Sequence, residues 1–124
     1  MSSTFWFRAG CLSLSVGVAL GAFGAHGLKS SLSKKLPEKE VNYYLDVWAK
    51  GSHYHFVHSL GMLLVAEKLQ HKALIPCTLF GAGILLFSGS LYSLVLTQNK
   101  KFGAVAPLGG ASFIAAWTIA ALLI

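Results

Sequence analysis

The stretch "ALIPCTLFGAGILLFSGSLYSLVL", residues 73–96, contains no charged side chain. The hydrocarbon core of a bilayer is about 30 Å thick, and about 20 helical residues cross it. A soluble core element is seldom so long without a side chain that prefers water. The stretch therefore predicts a transmembrane helix.

Two further apolar runs lie on either side of this stretch, at 5–28 and 102–124, and both are long enough to cross a bilayer. A weaker run, 60–66, must be extended back through several histidines to about Trp48. Short polar turns ("EKLQHK" and "TQNKK") force neighbouring helices to run antiparallel. We therefore predict an all-α integral membrane protein, an antiparallel four-helix transmembrane bundle. Its single domain covers residues 1–124, with helices at about 5–28, 42–69, 73–97 and 102–124.

The composition fits a membrane protein, since 55% of the 124 residues are hydrophobic and only 11% are charged. Four spans use most of the chain and leave no separate water-soluble domain. Cleavage of the first run as a signal peptide is an alternative, because "GAFGA" offers small residues. The length of that run and its single early positive charge, Arg8, argue against it.

Cys11 and Cys77 are predicted to be small buried apolar residues, because two cysteines make no disulfide framework.

The lysines predict the orientation, because basic loops stay on the cytoplasmic side of a membrane. With four spans, two loops that carry seven of the ten basic residues lie on one side, and we expect that side to face the cytoplasm or the mitochondrial matrix. The pattern does not resemble a nucleic-acid site, so we expect membrane lipids and other membrane subunits as partners and no nucleic acid. The seven residues are Lys29, Lys34, Lys35, Lys39, Lys50, Lys100 and Lys101.

The segment "KSSLSKKLPEKEV" joins the first two helices. Leu28, Leu32 and Leu36 recur every four residues between serines and lysines, which is typical of an amphipathic piece in the headgroup zone. A solvated loop is the alternative.

Small residues form a stripe on the first helix, at spacings of three and four. Helices in lipid associate by close backbone approach, so such a stripe predicts a helix contact. The full set of predicted packing positions is Gly17, Gly21, Gly24, Gly27, Gly89, Pro107, Gly109 and Gly110, and the stripe itself also includes Gly10 and Ser13.

Polar residues are expected near the basic end of every helix, and they predict one polar cluster in that leaflet. Its members are His26, Tyr54, His55, His58, Ser88, Ser90 and Tyr92. Two interpretations stay open. The groups bond one another and fix the helix register at about 0.6 kcal/mol per bond, or they bind a ligand such as a lipid, a quinone, haem or a metal.

We expect no metal and no cofactor, because no acid lies near enough to orient the imidazoles. We expect no catalytic residue and no enzymatic activity, because the serines lack a histidine–acid pair.

Five motifs in order, "GAFGAHGLK", "YHFVHSLGMLL", "LFSGSLY", "APLGG" and "AAW", resemble the family called domain of unknown function 423. This family has a bacterial YgdD-like branch and an animal branch, transmembrane protein 256. Its pattern differs at Ala116, where many members have glycine. The resemblance implies four helices and names no reaction. "HFVHSL" is similar to the eukaryotic branch, which favours the mitochondrial inner membrane over a bacterial plasma membrane. We expect a non-enzymatic interaction protein or accessory subunit of an inner-membrane complex.

Overall fold

The computed structural model describes residues 2–124, which form helices joined by short turns. The expected all-helical fold is confirmed. Two 3₁₀ turns, Gln70–Lys72 and Lys100–Ala104, precede the last two long stretches. The helices are α1 (Ser3–His26), α2 (Leu28–Ser33), α3 (Glu38–Leu69), α4 (Leu74–Gly83), a π-helical turn (Ile84–Ser88), α5 (Gly89–Thr97) and α6 (Ala106–Leu123).

Three helical stretches of the described chain are long and apolar enough to cross a membrane: Ser3–His26, Leu74–Thr97 and Lys100–Leu123. They correspond to three of the four expected spans. α3 is not among them, although its 32 residues make it about 48 Å long at 1.5 Å per residue. Its sequence mixes apolar residues with charged and imidazole side chains, which lowers its hydropathy. The fourth span therefore stays a prediction.

α3 is the central element, because it contacts α1 on one side and the α4–α6 region on the other. The contacting pairs of α1 and α3 run in opposite directions along the two helices. A side chain at Gly10 would meet Leu63, whereas one at Gly24 would meet Trp48. α4 and α6 are joined by a bond from the Ser112 hydroxyl to the Leu79 carbonyl.

The buried side chains form two clusters at opposite ends of α3. The first lies near the α3–α4 turn and includes Phe80 and Phe113. The second lies at the end that carries the seven lysines, hereafter the lysine end, and includes Trp48, Leu28 and Leu32. The two leucines are each 2% exposed. The four-residue leucine spacing thus marks a face of α2 that packs against the protein.

The π-helical turn lies where the α4–α5 stretch touches both of its neighbours. Phe87 packs directly on the backbone of Gly109 in α6. Ser88 donates a hydrogen bond of 2.7 Å to the Gly51 carbonyl of α3. Such turns occur mostly as single-turn insertions and often mark functional or strained positions.

Several predicted packing glycines do lie at helix contacts. A side chain on Gly17 would come within 3.3 Å of Phe56, and one on Gly24 would collide with the Trp48 indole. At Gly21 the nearest neighbours of such a side chain, Phe56 and Ser52, are 3.8 Å away, an ordinary contact.

Other predicted packing positions need correction. The first helix ends at His26, so Gly27 lies in the link to α2 and faces Phe23 of α1 instead of another helix. A side chain on Gly89 would meet only the Ile84 carbonyl oxygen, 3.8 Å away, and one on Gly110 would meet nothing within 4 Å. Pro107 is exposed in the first turn of α6, where a missing N–H costs little.

Gly109 and Gly110 are a matched pair for a packing test. We expect Gly109→Ala to lower the free energy of unfolding by about 1–3 kcal/mol, because the added methyl overlaps the Phe87 backbone. Gly110→Ala should leave it unchanged or raise it by up to about 1 kcal/mol, through better helix propensity. Thermal unfolding of the two variants in one detergent measures the difference, and equal melting curves would contradict this packing.

Candidate functional site

A hydrogen-bonded chain at the centre of the protein joins three helices. The His55 ring of α3 lies 3.0 Å from the Ser13 hydroxyl of α1 through Nε2, and 3.0 Å from the Tyr92 hydroxyl of α5 through Nδ1. The Ser13 hydroxyl is also 2.6 Å from that of Ser59. Because a neutral imidazole has one donor and one acceptor nitrogen, the tautomer of His55 sets the direction of the chain. These four residues are called the His55 network.

Trp48 connects this network to the lysine end. Its indole Nε1 donates a hydrogen bond of 3.1 Å to the Leu20 carbonyl of α1. Its ring centroid lies 4.6 Å from that of Tyr92. The absent side chain of Gly24, one turn beyond Leu20, leaves the space that the indole fills. Trp48 is only 3% exposed, so it is a packing residue between these helices.

A slot of 260 Å³ opens beside the network. Its walls are mostly aliphatic, and its polar residues are members of the His55 network. The slot separates α1 from the α4–α5 stretch, which accounts for the sparse contact between them. The lining residues are Ser13, Val16, Leu20, His55, Ile84, Leu85, Gly89 and Tyr92.

His58 belongs to a different group, an aromatic stack between α3 and α6. Its ring lies 3.5 Å from that of Phe113 at an angle of 9°, and 5.7 Å from that of Tyr54 at 10°. Its Nδ1 donates a hydrogen bond of 2.7 Å to the Tyr54 carbonyl in its own helix. This stack is separate from the His55 network, although His55 and His58 are only three residues apart.

The predicted single cluster is therefore corrected in its membership. His55 and Tyr92 are brought together, whereas Tyr54 and His58 form the stack. Ser88 bonds the Gly51 carbonyl, as described above, and Ser90 bonds the Leu86 carbonyl of its own helical stretch. His26 is exposed at the end of α1, because its position on the helix points away from α3.

The depth of the network also differs from the expectation of one leaflet at the basic side. α3 begins at Glu38, so His55 is its eighteenth residue of 32. Its partner Ser13 is the eleventh residue of the 24 in α1. The network therefore lies near the middle of both helices, and not in the first turns after the lysine-rich loop.

Two members of the network were missed as functional candidates. Ser13 entered the sequence analysis only as a small residue of the α1 stripe. Ser59 follows His55 by four residues, and this spacing places both on one helix face. The four-residue spacing from His55 could therefore have identified Ser59 from the sequence.

Within residues 2–124, no group of three or more His, Cys, Asp and Glu side chains is arranged to hold a metal ion. The charges are concentrated at the ends of the helices. At the lysine end, Lys100 places its ammonium 4.9 Å from the centre of the Tyr43 ring. This cation–π contact connects the turn before α6 to the first turns of α3.

Comparison with known proteins gives one family match. The family described as protein of unknown function DUF423 matches residues 20–110. This chain belongs to the DUF423 family. The match contains three of the four network residues, since Ser13 alone precedes it.

The relatives in this comparison are UPF0382 membrane proteins of bacteria. One from Bacillus subtilis, YwdK, is 45% identical over 113 residues, which cover 87% of this chain and 85% of the relative. One from Staphylococcus aureus is 40% identical over 87% of this chain and 84% of its own length. One from Staphylococcus saprophyticus is 41% identical, with coverage of 87% and 86%. No solved structure matches this chain.

These relatives and the three candidate spans establish a DUF423 membrane protein. The resemblance found in the sequence is confirmed. The mitochondrial inner membrane, favoured from "HFVHSL", has no support from relatives of bacterial origin. They favour the alternative, a bacterial plasma membrane.

A double-mutant cycle tests the His55 network. We expect Ser13→Ala and Tyr92→Phe each to lower the free energy of unfolding by about 0.6 kcal/mol, the average for an interhelical bond in a membrane. The two losses should not add, because both bonds depend on one imidazole. Unfolding in detergent measures the energies. Tyr54→Phe is the control, since the Tyr54 hydroxyl bonds none of the described residues. Additive losses would show that the two bonds are independent.

Proposed function

We propose that the chain crosses the bacterial plasma membrane four times and acts as a non-enzymatic interaction protein, an accessory subunit of a larger membrane complex. α3 is the fourth span in this proposal. The buried residues in its middle include the polar His55, His58 and Ser59, whereas Leu60 and Leu64 are 51% and 68% exposed. A helix in a membrane is expected to expose apolar side chains to lipid and to turn its polar side chains toward the interior of the bundle.

The proposed arrangement is an antiparallel four-helix bundle with α2 at the membrane interface. The lysine end faces the cytoplasm, as expected for basic loops. The inward leucines of α2 fix this short helix, so that Lys29 in the helix and the two lysines that follow it point toward the headgroups. Lys29, Lys34 and Lys35 are all exposed.

The His55 network is the observation that carries the interaction role. Both nitrogens of its imidazole are engaged within the protein, at 3.0 Å each. Satisfied groups of this kind hold helices in register and have little capacity left for a substrate. The network therefore favours a structural use of the buried polar residues.

The outer face of α1 is the proposed contact with the complex. Among the long helices α1 packs chiefly on α3, which leaves Leu12 68% exposed and Val18 61% exposed. A span held by one neighbour leaves much of its circumference free for a second protein.

Site-specific photocrosslinking tests this contact. We expect p-benzoylphenylalanine at Leu12 or at Phe5, which is 46% exposed, to capture the same membrane protein from native membranes, identified by mass spectrometry, because a spacing of seven residues places both positions on one face. Ile114 and Leu122 of α6, 70% and 81% exposed, are matched controls that should not capture it. Crosslinks to lipid alone from both α1 positions would refute the accessory role.

A lipophilic ligand in the slot is the second candidate function. The slot is the specific observation in its favour, because Tyr92 and His55 lie in an apolar wall where a quinone ring would fit. We expect any such ligand to be recovered by solvent extraction of protein purified from native membranes, and to be lost in Gly89→Leu, which fills the slot. Absorption spectra and metal analysis of the same sample would detect haem or a metal. Gly110→Leu is the control, and ligand-free protein would exclude this candidate.

A further inference from the structure

We propose that the cleft between α1 and α3 near the lysine end binds one anionic phospholipid. The cleft has a volume of 560 Å³ and shares no lining residue with the slot beside His55. This site goes beyond the proposed interaction role, because its occupant is a lipid and its residues are outside the His55 network.

The polarity of the cleft changes along its length. On α3, Ser52 and His53 are the polar lining residues. Leu45, Trp48 and Ala49 lie between this pair and the lysine end, and Phe56, Val57 and Leu60 lie toward the helix middle. A headgroup bound at the polar pair would place its acyl chains along the three residues toward the helix middle. The cleft therefore offers one polar position next to an apolar stretch, which is what an amphiphile requires.

Small residues make the room for this lipid. α1 contributes Gly21 and Ala25, and α3 contributes Ala49. The Trp48 indole also lines the cleft, and its hydrogen bond to the Leu20 carbonyl holds it in place. The walls are thus set by packing within the protein before any lipid arrives.

His53 is the proposed headgroup ligand. It is exposed, and no hydrogen bond joins its ring to another described residue. A ring N–H is therefore free to donate to a phosphate oxygen, which is a charge-assisted bond. Lys50 precedes His53 by three residues, on the same helix face, and adds a positive charge.

The net charge of the lysine end favours an anionic headgroup over a zwitterionic one. Its seven basic residues face only three acids, Glu38, Glu40 and Asp46. No ion pair joins any of these acids to a lysine in the described chain. Basic segments beside a span attract anionic lipid by this excess charge.

Native mass spectrometry of the protein released from nanodiscs tests the site. The probe is an equimolar mixture of phosphatidylglycerol and phosphatidylcholine. We expect the full chain to retain one phosphatidylglycerol. His53→Leu should weaken this retention about tenfold, because a hydrogen bond to a charged group is lost. His71→Leu, an exposed histidine in the turn at the other end, is the control and should retain the lipid.

A second pair of variants tests whether the lipid is held in the cleft or is only attracted by the positive charge of the lysine end. Ala49→Phe should expel the lipid by filling the cleft, whereas Ala111→Phe, an exposed alanine of α6, should not. Ala25→Leu fills the same cleft from α1, so a folding defect in one variant does not decide the result. Equal retention of the two lipids by the unmodified chain would overturn the proposal, as would retention unchanged in both filled variants.

Discussion

Close backbone contact at glycine is the constraint on which the rest of the structure depends. In lipid, burying another leucine gains little, so helices associate through dense packing. Trp48 lies over Gly24, Phe87 over Gly109, and Phe113 against Gly83. At Gly24 and Gly83 an aromatic ring of one helix lies against the bare backbone of another, and at Gly109 two backbones meet directly. The bonds of His55 need this spacing, because 3.0 Å contacts to two other helices form only when all three are held close.

The sequence predicts the local part of this fold well. Uncharged runs and polar turns are properties of neighbouring residues, and the α1 stripe follows from spacings of three and four. The residue that packs against a given glycine cannot be predicted in this way. Gly61 lies against Trp117, and Gly83 against Phe113, but each of these aromatic residues is far along the chain on α6. Nothing in the sequence around either glycine specifies that ring.

For the polar residues, the sequence predicts their depth in the membrane better than the direction in which each side chain points. Their order along each helix predicts that they lie near one another in depth, but the direction of a side chain depends on the rotation of its helix. His55 and His58 are three residues apart and differ by about 60° around α3. That difference is enough for His55 to meet α1 and α5 while His58 stacks on Phe113 of α6. His26 is rotated out of contact altogether, although it lies at the expected end of α1.

The distribution of satisfied and free polar groups bears on where recognition takes place. A polar residue inside a membrane protein is a functional candidate by default. Here the rings of His55 and His58 are bonded or stacked within the protein, so further ligands compete with existing contacts. Within residues 2–124, the side chains of His53 and the lysines make no hydrogen bond to another protein group. We therefore propose that lipid recognition takes place at the outward surface near the lysine end, and that the buried network holds this surface in place.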